Sequence, residues 1–583
     1  MKKTYIRYIF ALTLFFISIT EFSDDAFCEE LTSLEKALVQ EKILSNVRKS
    51  YVDTTLEVNT LYDGAIQGMI DKLDPHSSYM PPKRASDFTE KIRGGFEGVG
   101  ISFAIIDNQI TLIQVIEGGP SEAAGLKSRD RIVRIDGKDV LGISNEEVKN
   151  LLRGSQNSKV SVHVERPGED ELLEFSIIRD KIKLNSVSHA YMLDRETGYL
   201  AITNFTTKTN FDVGRSLKKL KDQGMQKLVL DLRNNSGGSL EASMHVVDDF
   251  ISDGLIVETR GTREKGENRK WSASGFAEYI DIPMILMINH GSASASEIVA
   301  GALQDHDRAL IVGQTSFGKG LVMRPITIAS KSGKNLGSLM LSVAHYYTPS
   351  GRLIQRPYTN GREEYIKEGF DDIDPNAVDL MNEDKPVFYT DLGREVYGGG
   401  GITPDRKIDP LPRLNMLESA LKRTNLFFEF ADRYLLLHDN IPEDFNEFLI
   451  QYRIPREELE LFKQFTVEKG IHVENDKTFD DELKDLVRKY DYSEESIEII
   501  KKTLEEENNG LNEKLFDKSL HFIEREIKQE IARMKWGSEE RYKVWHTDDK
   551  ELKEALVYFD EAEELLKKRI AMGDLNIESS TEK

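Results

Sequence analysis

Between residues 183 and 412, apolar segments of strand length alternate with segments of helical periodicity, and this rhythm limits the fold more than any other feature. Tyr199–Ile202, Lys227–Leu232, Met284–Ile288 and Ala309–Val312 read as strands, the second of them apolar enough to be fully buried. Val213–Lys221, Glu241–Ile251 and Ser296–Gln304 read as helices between them, and Leu339–Tyr347 is a further sheet-forming run. An α/β core is the expected outcome.

On either side of this region the character changes, so the chain as a whole is expected to be multidomain α+β. Residues 29–92 read as an N-terminal helical region, with Leu34, Ala37, Leu38, Ile43, Leu44 and Val47 at helical spacing and a second run from Leu61 to Leu73. The turn Asp74-Pro-His-Ser-Ser-Tyr79 follows, and His76 is expected to be structural within it. Residues 93–182 form a compact β-rich unit with strands at Ile110–Val115, Arg131–Ile135, Val160–Val164 and Leu172–Ile178. Its one short helix opens on a Ser144–Glu147 capping box and carries Val148, Leu151 and Leu152 on an apolar face. In residues 413–583 glycine nearly vanishes and Glu, Lys and Leu dominate, as expected of a helical extension.

Charge narrows the function. With 101 Asp and Glu against 78 Lys and Arg, the net charge is −23, a poor match to the phosphate backbone, and no nucleic-acid partner is expected. The first 28 residues read as an export signal: Lys2, Lys3 and Arg7 precede the apolar run Tyr8–Ile19, and Ala26 and Cys28 are small residues suited to cleavage after Cys28. Cys28 is the only cysteine, so the mature chain would have no disulfide and no thiol chemistry. The expected location is periplasmic or otherwise extracytoplasmic, with peripheral membrane association left open.

Three chemical readings compete around residues 291–320. Gly313-Gln-Thr-Ser-Phe-Gly-Lys319 matches most of a phosphate-binding loop, but Gly320 stands where a magnesium-binding hydroxyl is needed. Ser316 and Lys319 have the Ser-x-x-Lys spacing, yet Gly318 and Gly320 argue for a turn and not the helix that motif requires. The third reading pairs Ser294 with Lys319 across one helix–strand unit. Ser294 lies between two alanines at a helix start, where amides and the helix dipole favour an oxyanion, and an uncharged lysine can take a serine proton. Ser292 and Ser296 are expected to be helix caps, and His290 a solvated loop residue.

The order and spacing of several motifs carry a family resemblance over residues 31–412. They are Leu73-Asp-Pro-His-Ser-Ser-Tyr79, Phe96-Glu-Gly-Val-Gly-Ile101, Gly198-Tyr-Leu-Ala-Ile202, Asp231-Leu-Arg-Asn-Asn-Ser-Gly-Gly238, Gly291-Ser-Ala-Ser-Ala-Ser-Glu-Ile298, Gly318-Lys-Gly-Leu-Val322, Tyr346-Tyr-Thr-Pro-Ser-Gly-Arg352 and Gly401-Ile-Thr-Pro-Asp405. With them the chain resembles the carboxyl-terminal processing, or tail-specific, proteases. The resemblance implies a crotonase-like, ClpP-like protease core at 183–412 and a PDZ domain at 93–182. It further implies an exported serine endopeptidase with Ser294 as nucleophile and Lys319 as general base, working through an acyl-enzyme. The amides of Ala295 and of the Gly237–Gly238 turn would form the oxyanion hole.

In the PDZ unit, Gly98, Val99, Gly100 and Ile101 would receive a peptide carboxylate, with Val148, Leu151 and Leu152 lining the pocket. Expected partners are protein or peptide substrates with accessible C-termini. The helical extension would pack on the protease body, form a homodimer or dock an adaptor protein. No metal and no cofactor is implied. One departure stands out: where the family carries an orienting glutamine four residues after the lysine, this chain has Met323. A thioether is a weak acceptor, which keeps open the alternative of a latent or non-catalytic PDZ-containing scaffold on the same fold.

Overall fold

The computed structural model describes residues 31–53, 55–261, 267–359, 361–365, 385–471 and 513–581; the expected export signal at 1–28 lies outside them. The chain divides into two compact units at Leu73/Asp74. The first holds the helices Ser33–Ser50 and Val58–Ile70, the former opened by a Thr32–Glu35 capping box. The predicted apolar stripe is present there, but Leu34, Leu38 and Ile43 are exposed.

In the second unit the six-stranded core sheet runs Val187–Met192, Thr197–Ile202, Lys227–Asp231, Met284–Ile288, Leu310–Gly313, Arg406–Lys407. The first pair is antiparallel and the others are parallel. Parallel strands must be covered on both faces. On one face Leu228, Leu230, Leu286 and Ile311 pack beneath the helices Thr209–Asp222, Leu240–Asp248 and Ala295–Asp305 through Val213, Leu217, Val246 and Leu303. On the other, Val229, Ile285, Met287 and Val312 meet Leu552, Ala555, Phe559, Ala562 and Leu565 of the helices Lys550–Val557 and Phe559–Thr581. Of the expected roles for the extension, packing on the body is therefore the one its last helices fill.

A second sheet lies beside this core. It joins the short strand Ser78–Met80, the hairpin Leu321–Ala329/Asn335–Tyr347 and the strands Leu255–Arg260 and Arg269–Ser272. Sequence periodicity marks only the end of this hairpin, at Leu339–Tyr347. Residues 95–183 fold as the expected β unit, a sheet ordered Ile101–Ile106, Gln109–Val115, Arg131–Ile135, Lys159–Glu165, Leu173–Ile178, in which Ile101–Ile106 is an edge strand. Its core is Ile110, Leu112, Ile132, Val148, Val160 and Val162. The extension's remaining helices, from Met416–Lys422 to Ser538–His546, enclose their own core, in which the Phe427 and Phe462 rings stack at 5.2 Å. Arg129 and Arg131 of the β unit both pair with Asp432 of this helical layer.

A charged cluster joins the core sheet to the last helices. Arg233, whose side chain is 6% exposed, pairs with Asp231 at 2.7 Å, Asp549 at 2.7 Å and Glu551 at 2.6 Å, while Tyr199 donates to Asp231 at 2.8 Å. Breaking such a buried pair costs about 3–5 kcal/mol because a charge is left without a partner. Next to it, His189 and His546 are buried with ring nitrogens that make no hydrogen bond among the described residues, both Nδ1 and Nε2 of His189 and Nε2 of His546, the last lying 4.0 Å from Asp549. Burial lowers their pKa to about 3 and about 4; the His546 and Arg541 charges add to this at His189 and Arg233 at His546, while Glu539 and Asp231 oppose at His189 and Asp549 and Asp231 at His546.

Unfolded histidine binds its proton near pH 6.5, so between that pH and the folded values the unfolded state holds more protons. Stability is then complete above about pH 6.5 and falls as the pH drops toward about 4, by up to about 1.4 kcal/mol per unit for each histidine. Thermal melting from pH 7.5 to 4.5 should show this slope, and His189→Phe should flatten it.

Candidate active site

The loop after the buried strand Met284–Ile288 turns sharply into the helix Ala295–Asp305. Ser294 is the N-cap, at φ 56° and ψ −112°. A side chain held at positive φ costs about 1–3 kcal/mol and persists only where its surroundings impose it. Here they do. Ala293 N–H donates to the Asn235 carbonyl at 3.0 Å, and Ser292 and Ser296 bury their hydroxyls on the carbonyls of Leu232 and Asn235, each at 2.8 Å. Those two serines therefore tie one loop to another, and the expectation that they cap the helix is corrected: Ser294 itself occupies the cap.

Gly237 lies directly against this turn. A Cβ there would come within 2.8 Å of Ser294 Cβ and 2.9 Å of Ala295 N, which only glycine avoids. Gly238 is equally confined, since its Cβ would meet the Phe205 carbonyl at 2.0 Å. The Gly237 carbonyl accepts from Phe205 N–H at 3.1 Å, and Gly237 N–H donates to Asn235 Oδ1 at 2.9 Å. Gly237 thus lies against Ser294 and Ala295 with its own amide already engaged, and Gly238, next in the chain, packs on the Phe205 backbone.

Lys319 arrives on the Gly313–Gly320 loop, which is not helical. Its amides are consumed internally. Gly318 N–H donates to Glu297 Oε1 at 2.6 Å, Lys319 N–H to Glu297 Oε2 at 2.9 Å and Gly320 N–H to Gln355 Oε1 at 2.8 Å. With the amides of Gln314 and of Ser316 through Gly320 all donated to protein oxygens, the loop cannot cradle a phosphate, which disposes of the phosphate-loop reading. Ser316 Oγ donates to Glu297 Oε1 at 2.6 Å and accepts from Ile402 N–H at 2.7 Å, and so is engaged elsewhere as well.

Glu297 is the residue that sequence reasoning missed. It is fully buried, and its two oxygens accept four hydrogen bonds, the fourth from Ser294 N–H at 2.7 Å. One carboxylate therefore fastens the backbone of Ser294 to the backbone of Lys319. Burial pushes its carboxyl up, against the pull of those donors. Since all four partners donate, the carboxylate is the form the network fits. Its signal was a capping-box position three residues after Ser294. A second staple is Tyr346, also buried, whose hydroxyl reaches the Lys319 carbonyl at 2.6 Å and the Ser294 carbonyl at 3.1 Å.

Burial lowers the Lys319 pKa from its ordinary value of 10.5, with the charges of Glu297 and Asp74 opposing. His76 does more than close its turn. Its Nε2 meets the Tyr365 hydroxyl at 3.0 Å, and its ring lies edge-on to Phe317 of the lysine loop, with centroids 6.2 Å apart. Burial, then the Lys319 charge, brings its pKa to about 4. Met323 contributes a sulfur 3.1 Å from Ser342 Oγ. His290 lines a cavity of ≈ 690 Å³ together with Asn234, Ser236, Asn289 and Trp545.

In the β unit, the Gly98–Ile101 loop leads into the edge strand. Val99 is buried, its carbonyl accepting from Ser121 N–H at 3.1 Å and Ser121 Oγ at 2.7 Å. Gly100 has φ 78° and packs close to Ile182 and Pro120. Val148 and Leu152 point into the unit's own core, so Ile101 and Leu151 are the apolar pocket candidates that keep partial exposure.

Comparison with known proteins places these features in context. The sequence model for Peptidase family S41 matches residues 196–361, a PDZ domain model matches 98–177, and a model described as a probable PDZ-protease C-terminal helical domain matches 417–559. The carboxy-terminal-processing protease of Bartonella bacilliformis is 40% identical over 317 residues, covering 54% of this chain and 71% of that protein. Carboxy-terminal processing protease CtpA of Bacillus subtilis is 33% identical over 360 residues, covering 61% and 73%. Among solved structures, photosystem II D1 C-terminal processing protease aligns with a TM-score of 0.33 at 25% identity, over 65% of this chain and 94% of that one.

Glu297→Gln turns one acceptor oxygen into a donor facing donors. It is expected to lower stability by about 3 kcal/mol or more and turnover by at least about a hundredfold, read by melting and by peptide cleavage.

Proposed function

The chain belongs to peptidase family S41, the carboxy-terminal processing proteases, and we propose that it cleaves tail-bearing protein substrates outside the cytoplasm through a Ser294–Lys319 dyad. It is a serine peptidase, and its PDZ domain is of the kind that binds peptide C-termini. The observation that carries the dyad is the single Glu297 carboxylate bonded to the backbone of both Ser294 and Lys319.

Neutral Lys319 Nζ takes the proton of Ser294 as Oγ bonds to the scissile carbonyl carbon, and the carbonyl electrons move onto oxygen. The amides of Ala295 and Gly238 face the resulting oxyanion; Gly237 shapes the turn, its own N–H being donated to Asn235. Collapse breaks the C–N bond, and the lysine proton passes to the leaving amine. Water then attacks the acyl-serine ester, its proton passing through Lys319 back to Ser294 as the new carboxyl end leaves.

Capture of the substrate's own C-terminus falls to the Gly98–Ile101 loop with Ile101 and Leu151, the peptide adding to the edge strand Ile101–Ile106. Residues 1–28 serve as the export signal; an intact N-terminus on protein recovered from the extracytoplasmic fraction would refute it. The second reading, a latent scaffold, rests on Met323, which stands where the resemblance expects an orienting glutamine.

Ser294→Ala and Lys319→Ala should each lower cleavage of one tail-bearing substrate by about a thousandfold or more, with products located by mass. Full activity in either variant refutes the dyad, and an inactive wild type favours the scaffold. Because the base must be neutral, kcat/KM should fall as the pH drops through the Lys319 pKa, and that acid limb should lie below 10.5.

A further inference from the structure

Met323 and Ser342 face each other across the hairpin that starts immediately after Lys319. Ser342 Oγ lies 2.8 Å from Asp74 Oδ1 and 3.1 Å from the Met323 sulfur. It has one proton, and a carboxylate is the better acceptor. Asp74 is held in place from several sides. Its Oδ1 also accepts His76 N–H at 2.9 Å and Ser77 N–H at 2.9 Å, and its Oδ2 accepts Ser77 Oγ at 2.6 Å. The strand Ser78–Met80 then pairs with Asn335–Tyr347, which brings this turn against the hairpin.

The turn that carries Asp74 lies against the lysine loop, the His76 ring packing edge-on to Phe317 with centroids 6.2 Å apart, and the charges of Glu297 and Asp74 both act on Lys319. Glu297 has both oxygens doubly occupied. Among the described residues Asp74 Oδ2 accepts one hydrogen bond, from Ser77 Oγ, and forms no ion pair with a cation, leaving a lone pair for an ammonium. Burial opposes the charge on Asp74, but the bonds from Ser77, Ser342 and the turn amides outweigh it and hold the carboxyl below its usual range. The other titratable and charged groups here are His76, near Arg356 and Arg362, together with Tyr358, which faces Asp74, and Tyr346 and Tyr365, which face Glu297.

We propose that Asp74, braced by Ser77 and Ser342, is the positioning residue for Lys319, supplying from a neighbouring turn the polar anchor that Met323 cannot. This rests on the Ser294–Lys319 reading. Asp74 does not touch the scissile bond. It holds the lysine side chain in line and steadies the ammonium that forms when Ser294 gives up its proton.

The test is the pH profile of kcat and KM on one tail-bearing peptide for wild type, Asp74→Asn, Asp74→Ser and Asp74→Glu. Serine can accept from the same turn amides without charge, so it covers the case in which asparagine fails to fold. A nearby carboxylate raises a lysine's pKa, so removing it lets Lys319 lose its proton at lower pH. The neutral variants should therefore shift the acid limb of kcat/KM down by about half to one pH unit, while kcat drops about tenfold and KM stays within about twofold. Asp74→Glu should restore the limb. In a Met323→Gln background, which supplies an amide, the cost of Asp74→Asn should shrink.

An unmoved limb overturns the proposal, as does loss of folding in both neutral variants, which would assign Asp74 to the fold alone. Neither result touches the dyad, whose own failure would appear as activity in Lys319→Ala.

Discussion

A carboxylate buried among four hydrogen-bond donors sets the geometry on which the rest of the site depends. Glu297 stands one turn into the helix that Ser294 begins, and its oxygens reach 22 residues ahead to the lysine loop. Two further links join the same loops: the Tyr346 hydroxyl reaches the carbonyls of both Ser294 and Lys319, and Phe317 N–H donates to the Ser292 carbonyl at 2.9 Å. Glu297 uses the amides of Ser294 and Lys319 and Tyr346 their carbonyls, so both sides of the two backbones are held. The main chain of Ser294 and of Lys319 is thereby fixed, which is what the proposed dyad requires of its partners.

The same economy appears one layer out. Ser292, Ser296 and Ala293 bind the carbonyls of the loop carrying Gly237 and Gly238, and that loop begins at Asp231 and Arg233, the guanidinium pairing with Asp231, Asp549 and Glu551. The turn beside Ser294 is therefore continuous, through side chains, with the helices on the far face of the sheet. Those helices are part of the hydrophobic structure of the protease body as much as its covering.

Much of the core was readable because fully buried parallel strands are apolar along their whole length. Met284–Ile288 is a strand over the residues expected, and Ala309–Val312 differs from the observed strand by one residue at each end. The strand Leu321–Ala329 escaped notice because Arg324 and Pro325 interrupt its pattern, and only pairing with Asn335–Tyr347 defines it. Ser294 and Lys319 stood out by residue type. Glu297 looked like an ordinary cap, since a local signature cannot reveal that the same carboxylate also binds Gly318 and Lys319. Ser292 and Ser296 misled for the converse reason: serines near a helix start suit capping, but their partners are carbonyls of a loop about 60 residues earlier. Which surface the last helices would cover is not written in their amphipathic pattern at all.

The position of those last helices has a temporal consequence. A chain made from its N-terminus completes the strands, Ser294 and Lys319 long before residues 549–565 exist. Until then one face of the sheet holding Val229, Ile285 and Met287 stays wet, and Arg233 lacks two of its three acidic partners. Domains fold as their sequence becomes available, so the site can reach its final geometry only near the end of synthesis. The order of the elements along the chain thus acts as a timer, delaying completion of the surroundings of Ser294 until the protein that carries it is almost whole.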